Sequence, residues 1–263
     1  MELTELARDL VAEHAALDDV VAGLAPQDWQ RLTASPGWAV ADQIAHLSAF
    51  DATAALAIDD PPKFAAHVTD LLERFAANPE VGDYQMLGRF RTMTSPELLA
   101  SWRENRASLI AAIANLLPTT RVPWYGPAMG AKSFVTARLM ETWAHGQDIT
   151  DATGIHRPAT DRLQHIAQLG VSTRGWSYKV HRLAAPVQSV RVELISPTGQ
   201  LWVSGPEGAH DLVSGSMEEF CLVVTQRRHV DDTAIASGPI GRDWLLRAQA
   251  FAGAPTLASR RNA

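Results

Sequence analysis

The sequence predicts an α+β protein in which a four-helix bundle is followed by a small α+β domain. Apolar residues recur at helical spacing through residues 1–155, and proline, glycine and aspartate interrupt them where helices are expected to end. Beyond Pro158 the pattern changes, because residues 190–195 alternate between apolar and polar as a strand does. We therefore expect two domains, a helical bundle over residues 1–155 and an α+β domain over residues 156–263.

The first two bundle helices are predicted from their apolar spacing and their stop signals. One helix is expected from about Leu6 to the Ala25-Pro26 pair, where proline ends the pattern. A loop follows, and a second helix is expected from about Val40 to Ile58, because aspartates and prolines follow directly.

The other bundle helices are predicted from caps and breakers. A shorter helix is expected over Lys63 to Ala77. Ser95-Pro96 is typical of an N-cap with proline at the first helical position, so a helix is expected from Pro96 to about Leu117. The last bundle helix is expected from about Ala131 to Ala152, and Gly154 supplies its stop signal.

The second domain is predicted to mix helices with a hairpin. Two alternating or apolar runs separated by a Pro-Thr-Gly turn indicate the hairpin. The expected strands are Val190–Ile195 and Leu201–Val203, and the expected helices are Thr160 to about His181, Ser216 to about Gln226, and Arg242 to Phe251.

Charge and cysteine content exclude several classes of partner. The 263 residues carry a net charge of −6 with a pI of about 5.8, so we expect neither a nucleic-acid nor an anionic-membrane partner. The single cysteine, Cys221, lies in an apolar run and is expected to pack in the core without a disulfide. We find no basic leader and no run near the roughly 18 apolar residues of a membrane span, and we expect a cytoplasmic protein.

A candidate metal site comes from acidic and histidine residues on apolar helix faces. Glu141 and His145 are four residues apart, so their side chains lie on one face of the predicted last bundle helix. A buried glutamate needs a partner, and a divalent cation would be one. His46, midway along the second predicted helix, would supply a third ligand and leave a fourth position open.

Other readings of these residues stay open at this point. A histidine on an apolar helix is often a hydrogen-bonded core residue, and a Glu-x-x-x-His spacing is common in helical proteins. His14, on the inward face of the first helix, is a competing ligand, a neighbour that orients a ligand, or a core residue. Asp42 and Asp51 flank His46 and are candidates to orient the imidazoles, or are capping and solvated residues.

Four short motifs follow one another along the bundle: Asp28-Trp29, Pro36-Gly37-Trp38, His46-Leu47 and Glu141-x-x-x-His145. In this order they resemble the DinB-like bundle of the mycothiol-dependent maleylpyruvate isomerase family, and the resemblance covers residues 1–155. The resemblance implies a zinc ion as cofactor. By position, its ligands would be His46, Glu141 and His145.

The resemblance also implies an activity. It indicates a zinc-dependent S-transferase or isomerase that uses mycothiol, a low-molecular-weight thiol, on a small-molecule substrate; a thiol bound to a divalent cation is deprotonated and becomes a nucleophile. Two alternatives stay open. Two histidines and a carboxylate also suit Fe(II) or another metal chemistry, including hydrolase or lyase reactions on a bound water. The bundle can equally hold a small molecule without catalysis.

Overall fold

The computed structural model describes residues 2–77 and 82–259 of the chain. The chain divides into two compact units, Met1–Arg157 and Pro158–Ala263. The first is mostly helical and the second contains a small sheet, which confirms the predicted α+β class. Among the described residues, no helix combines the length and the apolar character needed to cross a bilayer.

Helices make up most of the first unit, and a two-stranded antiparallel ribbon joins the last two of them. The helices are α1 (Leu3–Ala22), α2 (Val40–Asp59), α3 (Pro61–Ala77), α4 (Gly82–Arg91), α5 (Ser95–Ala114) and α6 (Ala131–Thr153), and the strands are β1 (Arg121–Val122) and β2 (Met129–Gly130). The bundle consists of α1, α2, α5 and α6; α2 packs against α5 and α6, and α1 also packs against both.

The bundle core explains why these segments are helical. Leu10 and Leu17 of α1 and Ile44 and Leu47 of α2 are fully buried at helical spacing. Each such side chain contributes about 1.5–3 kcal/mol relative to an exposed one. Burial of one face of each helix therefore stabilises the arrangement that places α2 beside α6.

One helix start and one whole helix differ from the prediction, and one helix end agrees with it. The N-cap of α5 is Thr94 rather than Ser95, because the Thr94 N–H donates to the Glu97 carboxylate over 2.7 Å in a capping box. The end of α6 lies where it was predicted, at Gly154, which has a left-handed φ of 73°. Helix α4 was not predicted; the buried side chain of Phe90 helps to attach it to the core.

The loop before α2 is folded back on itself by backbone hydrogen bonds. Thr33 N–H donates to the Trp38 carbonyl over 2.8 Å, and Trp38 N–H donates to the Ser35 carbonyl over 3.0 Å. Gly37 takes a φ of 75° in this turn, a conformation that favours glycine. The turn fixes Trp38 next to the first residues of α2.

Within its described residues, the second unit combines four α-helices with a four-stranded sheet of order β4-β3-β5-β6. Strand β3 is antiparallel to β4 and parallel to β5, and β6 is antiparallel to β5. The helices are α7 (Leu163–Ser172), α8 (Arg174–Val180), α9 (Met217–Val224) and α10 (Pro239–Leu245), and the strands are β3 (Val190–Ile195), β4 (Leu201–Ser204), β5 (Asp211–Ser216) and β6 (Ala236–Ser237).

The predicted hairpin is confirmed, and several other elements of this unit differ. The β3–β4 turn contains Gly199 with a φ of 83°. The helix predicted from Thr160 is two helices separated at Thr173, and the last helix begins at Pro239 rather than at Arg242. Strand β5 was missed because its sequence, DLVSGS, has few apolar residues.

Candidate metal centre

Three side chains that could hold a metal converge from two helices of the bundle. Glu141 Oε2 lies 3.5 Å from His46 Nε2 and 3.0 Å from His145 Nε2. One ligand atom from each residue lies within 4.8 Å of the others. The structure therefore brings together all three residues that the sequence predicted as ligands.

Helix geometry accounts for this convergence. Glu141 and His145 are one turn apart on α6 and share a face. Because α2 packs against α6, His46 on α2 faces the same point. The exposed fraction of the side chain is 24% for Glu141, 18% for His46 and 10% for His145, so the cluster is reachable from the side of Glu141 and His46.

Gln43 holds the far side of the His145 ring, and sequence reasoning missed it. Its Oε1 lies 2.5 Å from His145 Nδ1, and its Nε2 lies 2.8 Å from Thr33 Oγ1. Gln43 precedes His46 by three residues and is fully buried. A polar residue on the same face of an apolar helix as His46 was the signal that could have identified it.

Aromatic rings flank the two imidazoles. The Trp38 ring lies nearly parallel to that of His145, with centroids 6.2 Å apart, and lies 5.4 Å from that of His46. On α2, the Phe50 ring lies 4.3 Å from that of His46 and contacts Trp124 beyond it. These rings shield the imidazoles from solvent, so that polar interactions within the cluster are strengthened.

Burial and mutual contact set the charge of the cluster. Burial lowers the pKa of His46 to about 4, with a further contribution from His145, so the His46 imidazole is neutral at neutral pH. Burial acts to raise the pKa of Glu141, but contacts with His145 and His46 outweigh it and hold that pKa well below its ordinary value. A neutral imidazole and an ionised carboxylate are the forms that bind metal ions.

The distances and the donor types fit a divalent cation. Ligand atoms around a tetrahedral zinc ion, at metal distances near 2.0–2.2 Å, lie about 3.3 Å apart, and the distances of 3.0 and 3.5 Å from Glu141 Oε2 bracket that value. His145 Nδ1 has the Gln43 carbonyl oxygen as its partner. With Nδ1 as the donor to Gln43, both His145 Nε2 and the Glu141 carboxylate are acceptors. They face each other favourably only with a cation or a second proton between them.

The other candidate residues from the sequence have structural partners. His14 lies in the core, with its ring edge against Trp102 and its Nε2 3.7 Å from Asp51 Oδ2. Asp51 accepts hydrogen bonds from Arg138 and Trp102. Asp42 accepts from the Ala39 N–H at the start of α2 and also pairs with an arginine of α4. Of the two readings left open for these aspartates, capping holds for Asp42. Neither aspartate orients the imidazoles of the cluster, because Gln43 is the partner of His145 Nδ1.

The family described as mycothiol maleylpyruvate isomerase N-terminal domain matches residues 10–150. Two uncharacterised proteins from two strains of Mycobacterium tuberculosis are each 42% identical to this chain over 248 residues, which is 94% of this chain and 95% of each relative.

Two crystal structures share the fold. One is of the mycothiol-dependent maleylpyruvate isomerase, with a TM-score of 0.59, and the other is of a histidine-to-alanine mutant of that enzyme, with a TM-score of 0.58. Both are 14% identical in sequence, and each comparison covers 90% of this chain and 93% of the other.

Proposed function

The chain belongs to the family of the mycothiol maleylpyruvate isomerase N-terminal domain, and from that membership we propose that it is a metal-dependent enzyme that uses a low-molecular-weight thiol. It isomerises a small-molecule substrate or transfers the thiol to it. Zinc is the proposed metal, and mycothiol, which the family description names, is the proposed thiol. The single cysteine of the chain supports a reducing, cytoplasmic setting.

One observation carries the proposal: three metal-ligand atoms of His46, Glu141 and His145 converge where the side chains of Glu141 and His46 are partly exposed. Two imidazoles and one carboxylate are a ligand set of catalytic zinc, and such a site keeps a further position for water or substrate. A structural zinc site would have four protein ligands instead. The donor set therefore favours a catalytic role.

Each residue of the cluster has a distinct task in this proposal. A divalent cation held there would lower the pKa of a coordinated thiol and so supply a thiolate at neutral pH. Glu141 supplies one negative charge and His46 a neutral nitrogen donor. His145 supplies the second imidazole nitrogen, Nε2. Trp38 and Phe50 keep water away from the buried edges of the rings. The exposed edge of Glu141 is the side from which a thiol and its acceptor approach.

Metal analysis of the purified protein tests the first part of the proposal. We expect one divalent ion per chain, and the variants His46→Ala and His145→Ala should lose it while keeping their helical circular dichroism. His156→Ala is the matched control, because His156 is an exposed histidine just beyond α6 and should leave metal content unchanged. Full metal occupancy in both ligand variants would remove the site from consideration.

A thiol titration of the cobalt-substituted protein tests the second part. Mycothiol, or a simpler cysteine-containing analogue, should add sulfur-to-metal charge-transfer absorption in a saturable way, and Glu141→Gln should weaken the effect. A fully loaded cobalt protein that responds to no thiol contradicts the thiol chemistry. Turnover with metal but without thiol would then favour a hydrolase or lyase, and retained affinity without product would favour a binding protein.

A further inference from the structure

A chain of hydrogen bonds links the loop before α2 to His145 on α6. The Thr33 hydroxyl donates to the Trp38 carbonyl oxygen over 3.0 Å. Because its single hydrogen is used there, Thr33 Oγ1 accepts from Gln43 Nε2, which lies 2.8 Å away. The other end of the same amide, Gln43 Oε1, lies 2.5 Å from His145 Nδ1.

The partners of Gln43 fix the direction of its amide. The NH2 group faces Thr33 Oγ1 and also lies 3.2 Å from Ser35 Oγ. If the amide were reversed, its oxygen would face Thr33, and the Thr33 hydroxyl would have to leave the Trp38 carbonyl to donate to it. Gln43 is fully buried, so water would not readily replace the lost bond. The amide oxygen is therefore held toward His145.

This direction determines which ring nitrogen of His145 carries hydrogen. A carbonyl oxygen only accepts hydrogen bonds, so Nδ1 must be the donor. Nε2, 3.0 Å from Glu141, is then the nitrogen left to bind a cation, or a second proton when no cation is present. Asp148 is the other acidic group near Nδ1, but its Oδ2 is 3.9 Å away, beyond hydrogen-bond reach.

We infer that Gln43 is a positioning residue for the metal centre. By accepting from Nδ1, it holds His145 in the form whose Nε2 binds metal, and it fixes the ring plane; Thr33 in turn holds Gln43. The inference rests on the proposed metal site and adds to it a residue that the metal itself does not touch. Partners of this kind change metal affinity by about 10- to 100-fold when they are removed.

Nuclear magnetic resonance of the metal-free protein tests the hydrogen position directly. With 15N-labelled histidine, and with His145→Ala to assign the signals, we expect an Nδ1–H at His145 that exchanges slowly with water. Gln43→Leu should make that exchange fast, because the acceptor is gone. A neutral His145 ring that carries its hydrogen on Nε2 in the wild-type protein would overturn the inference.

Competition with a chelator for zinc tests the consequence for affinity. Gln43→Leu should weaken zinc binding by about 10- to 100-fold, whereas Gln43→Glu, which keeps an acceptor toward Nδ1, should restore it to within a few-fold of wild type. Ser48→Ala is the matched control, since Ser48 is also buried and polar on α2 but bonds to Asn105. Equal losses for Gln43→Leu and Gln43→Glu would mean that Gln43 acts only by packing.

A milder variant keeps the test valid if Gln43→Leu does not fold. Thr33 is only half-buried, and Thr33→Val removes the hydroxyl that orients Gln43 while keeping the shape of the side chain. We expect faster exchange at His145 Nδ1 and a smaller loss of zinc affinity. Unchanged exchange and affinity would contradict the proposed role of Thr33 and Gln43.

The two proposals fail in different ways. If wild-type protein binds no zinc, the proposed function fails, and the hydrogen position at His145 still decides the role of Gln43. If wild-type and Gln43→Leu proteins bind zinc equally well, the role of Gln43 fails and the metal site stands.

Discussion

The guanidinium of Arg157 lies so close to Gly146 that a Cβ atom on Gly146 would come within 2.5 Å of Arg157 Nη1. Arg157 also donates to Glu13 on α1 over 2.9 Å and to the Trp143 carbonyl on α6 over 2.8 Å. Gly146 directly follows the candidate ligand His145. The absence of a side chain at Gly146 thus lets Arg157 join α1 to the turn of α6 that carries the cluster.

We expect Gly146→Ala to destabilise the protein, although alanine favours a helix over glycine by about 1 kcal/mol. The added methyl group would displace Arg157 from its bonds to Glu13 and Trp143, and disturbing a buried ion pair costs more than that gain. In an Arg157→Ala background the same change should be neutral or stabilising. Urea unfolding of the wild type, the two single variants and the double variant measures this coupling. If the changes in unfolding free energy of the single variants simply add in the double variant, the coupling is contradicted.

Two aspartates on α2 should differ sharply in their contribution to stability. Asp51 is fully buried and accepts from Arg138 Nη2 over 3.0 Å and from Trp102 Nε1 over 3.2 Å. Asp51→Ala would leave the buried charge of Arg138 without this partner, and we expect a loss of about 3–5 kcal/mol. Asp42→Ala is the matched comparison, and we expect it to lower the unfolding free energy by about 1 kcal/mol, the cost of a lost helix cap. Equal losses by denaturant unfolding would contradict this ranking.

Asp18 should make stability depend on pH in the acid range. Hydrogen bonds from Arg103 and the charge of Arg106 hold the pKa of the Asp18 carboxyl below the usual 3.8, although partial burial acts to raise it. A lowered folded-state pKa stabilises the protein above the unfolded-state pKa, and this stabilisation is lost as pH falls through the folded-state value. The difference in unfolding free energy between wild type and Asp18→Asn should be largest at neutral pH and should shrink below pH 3.8. A constant difference would contradict the role of its charge.

The bundle and its candidate ligands were predictable because their signals are local. Residues four apart on one helix share a face, so Glu141 and His145 could be paired from spacing alone. The role of Gln43 depends on the folded loop at Thr33 and Trp38, which no periodicity describes. The partners of Asp42 and Asp51 could not be chosen from the sequence for the same reason, since their arginines come from distant helices.

Elements of the second unit were harder to predict. The strand at Asp211–Ser216 is polar, and it is identified as a strand only by its parallel register with the strand at Val190–Ile195. The predicted hairpin had a turn signal within the sequence itself, in which Gly199 provides the left-handed φ. The turn could therefore be predicted from its local sequence, whereas the pairing of distant strands could not.

Cys221 should have no part in thiol chemistry. Its side chain is fully buried, its Sγ lies 3.4 Å from the Leu163 carbonyl oxygen, and burial raises its pKa well above the ordinary value. Cys221→Ser should leave thiol-dependent activity within a few-fold of wild type. Alkylation of the native protein should be slow and become fast on unfolding. Loss of activity in a folded Cys221→Ser protein would instead assign it a catalytic role.

Trp38 should report metal binding by its fluorescence. Its ring lies 5.4 Å from that of His46 and 6.2 Å from that of His145, so a cobalt ion on these residues would accept its excitation energy over a very short distance. We expect cobalt to quench part of the tryptophan emission with a one-to-one end point.

Two tryptophan variants separate this local effect from a general one. Trp38→Phe should remove most of the saturable quenching while cobalt absorption still shows a loaded site, because the ring is a neighbour and not a ligand. Trp29→Phe is the matched control, since Trp29 packs in the core cluster around α2, and it should keep the quenching. Undiminished quenching in loaded Trp38→Phe protein would mean that Trp38 is not the tryptophan that reports the cobalt ion.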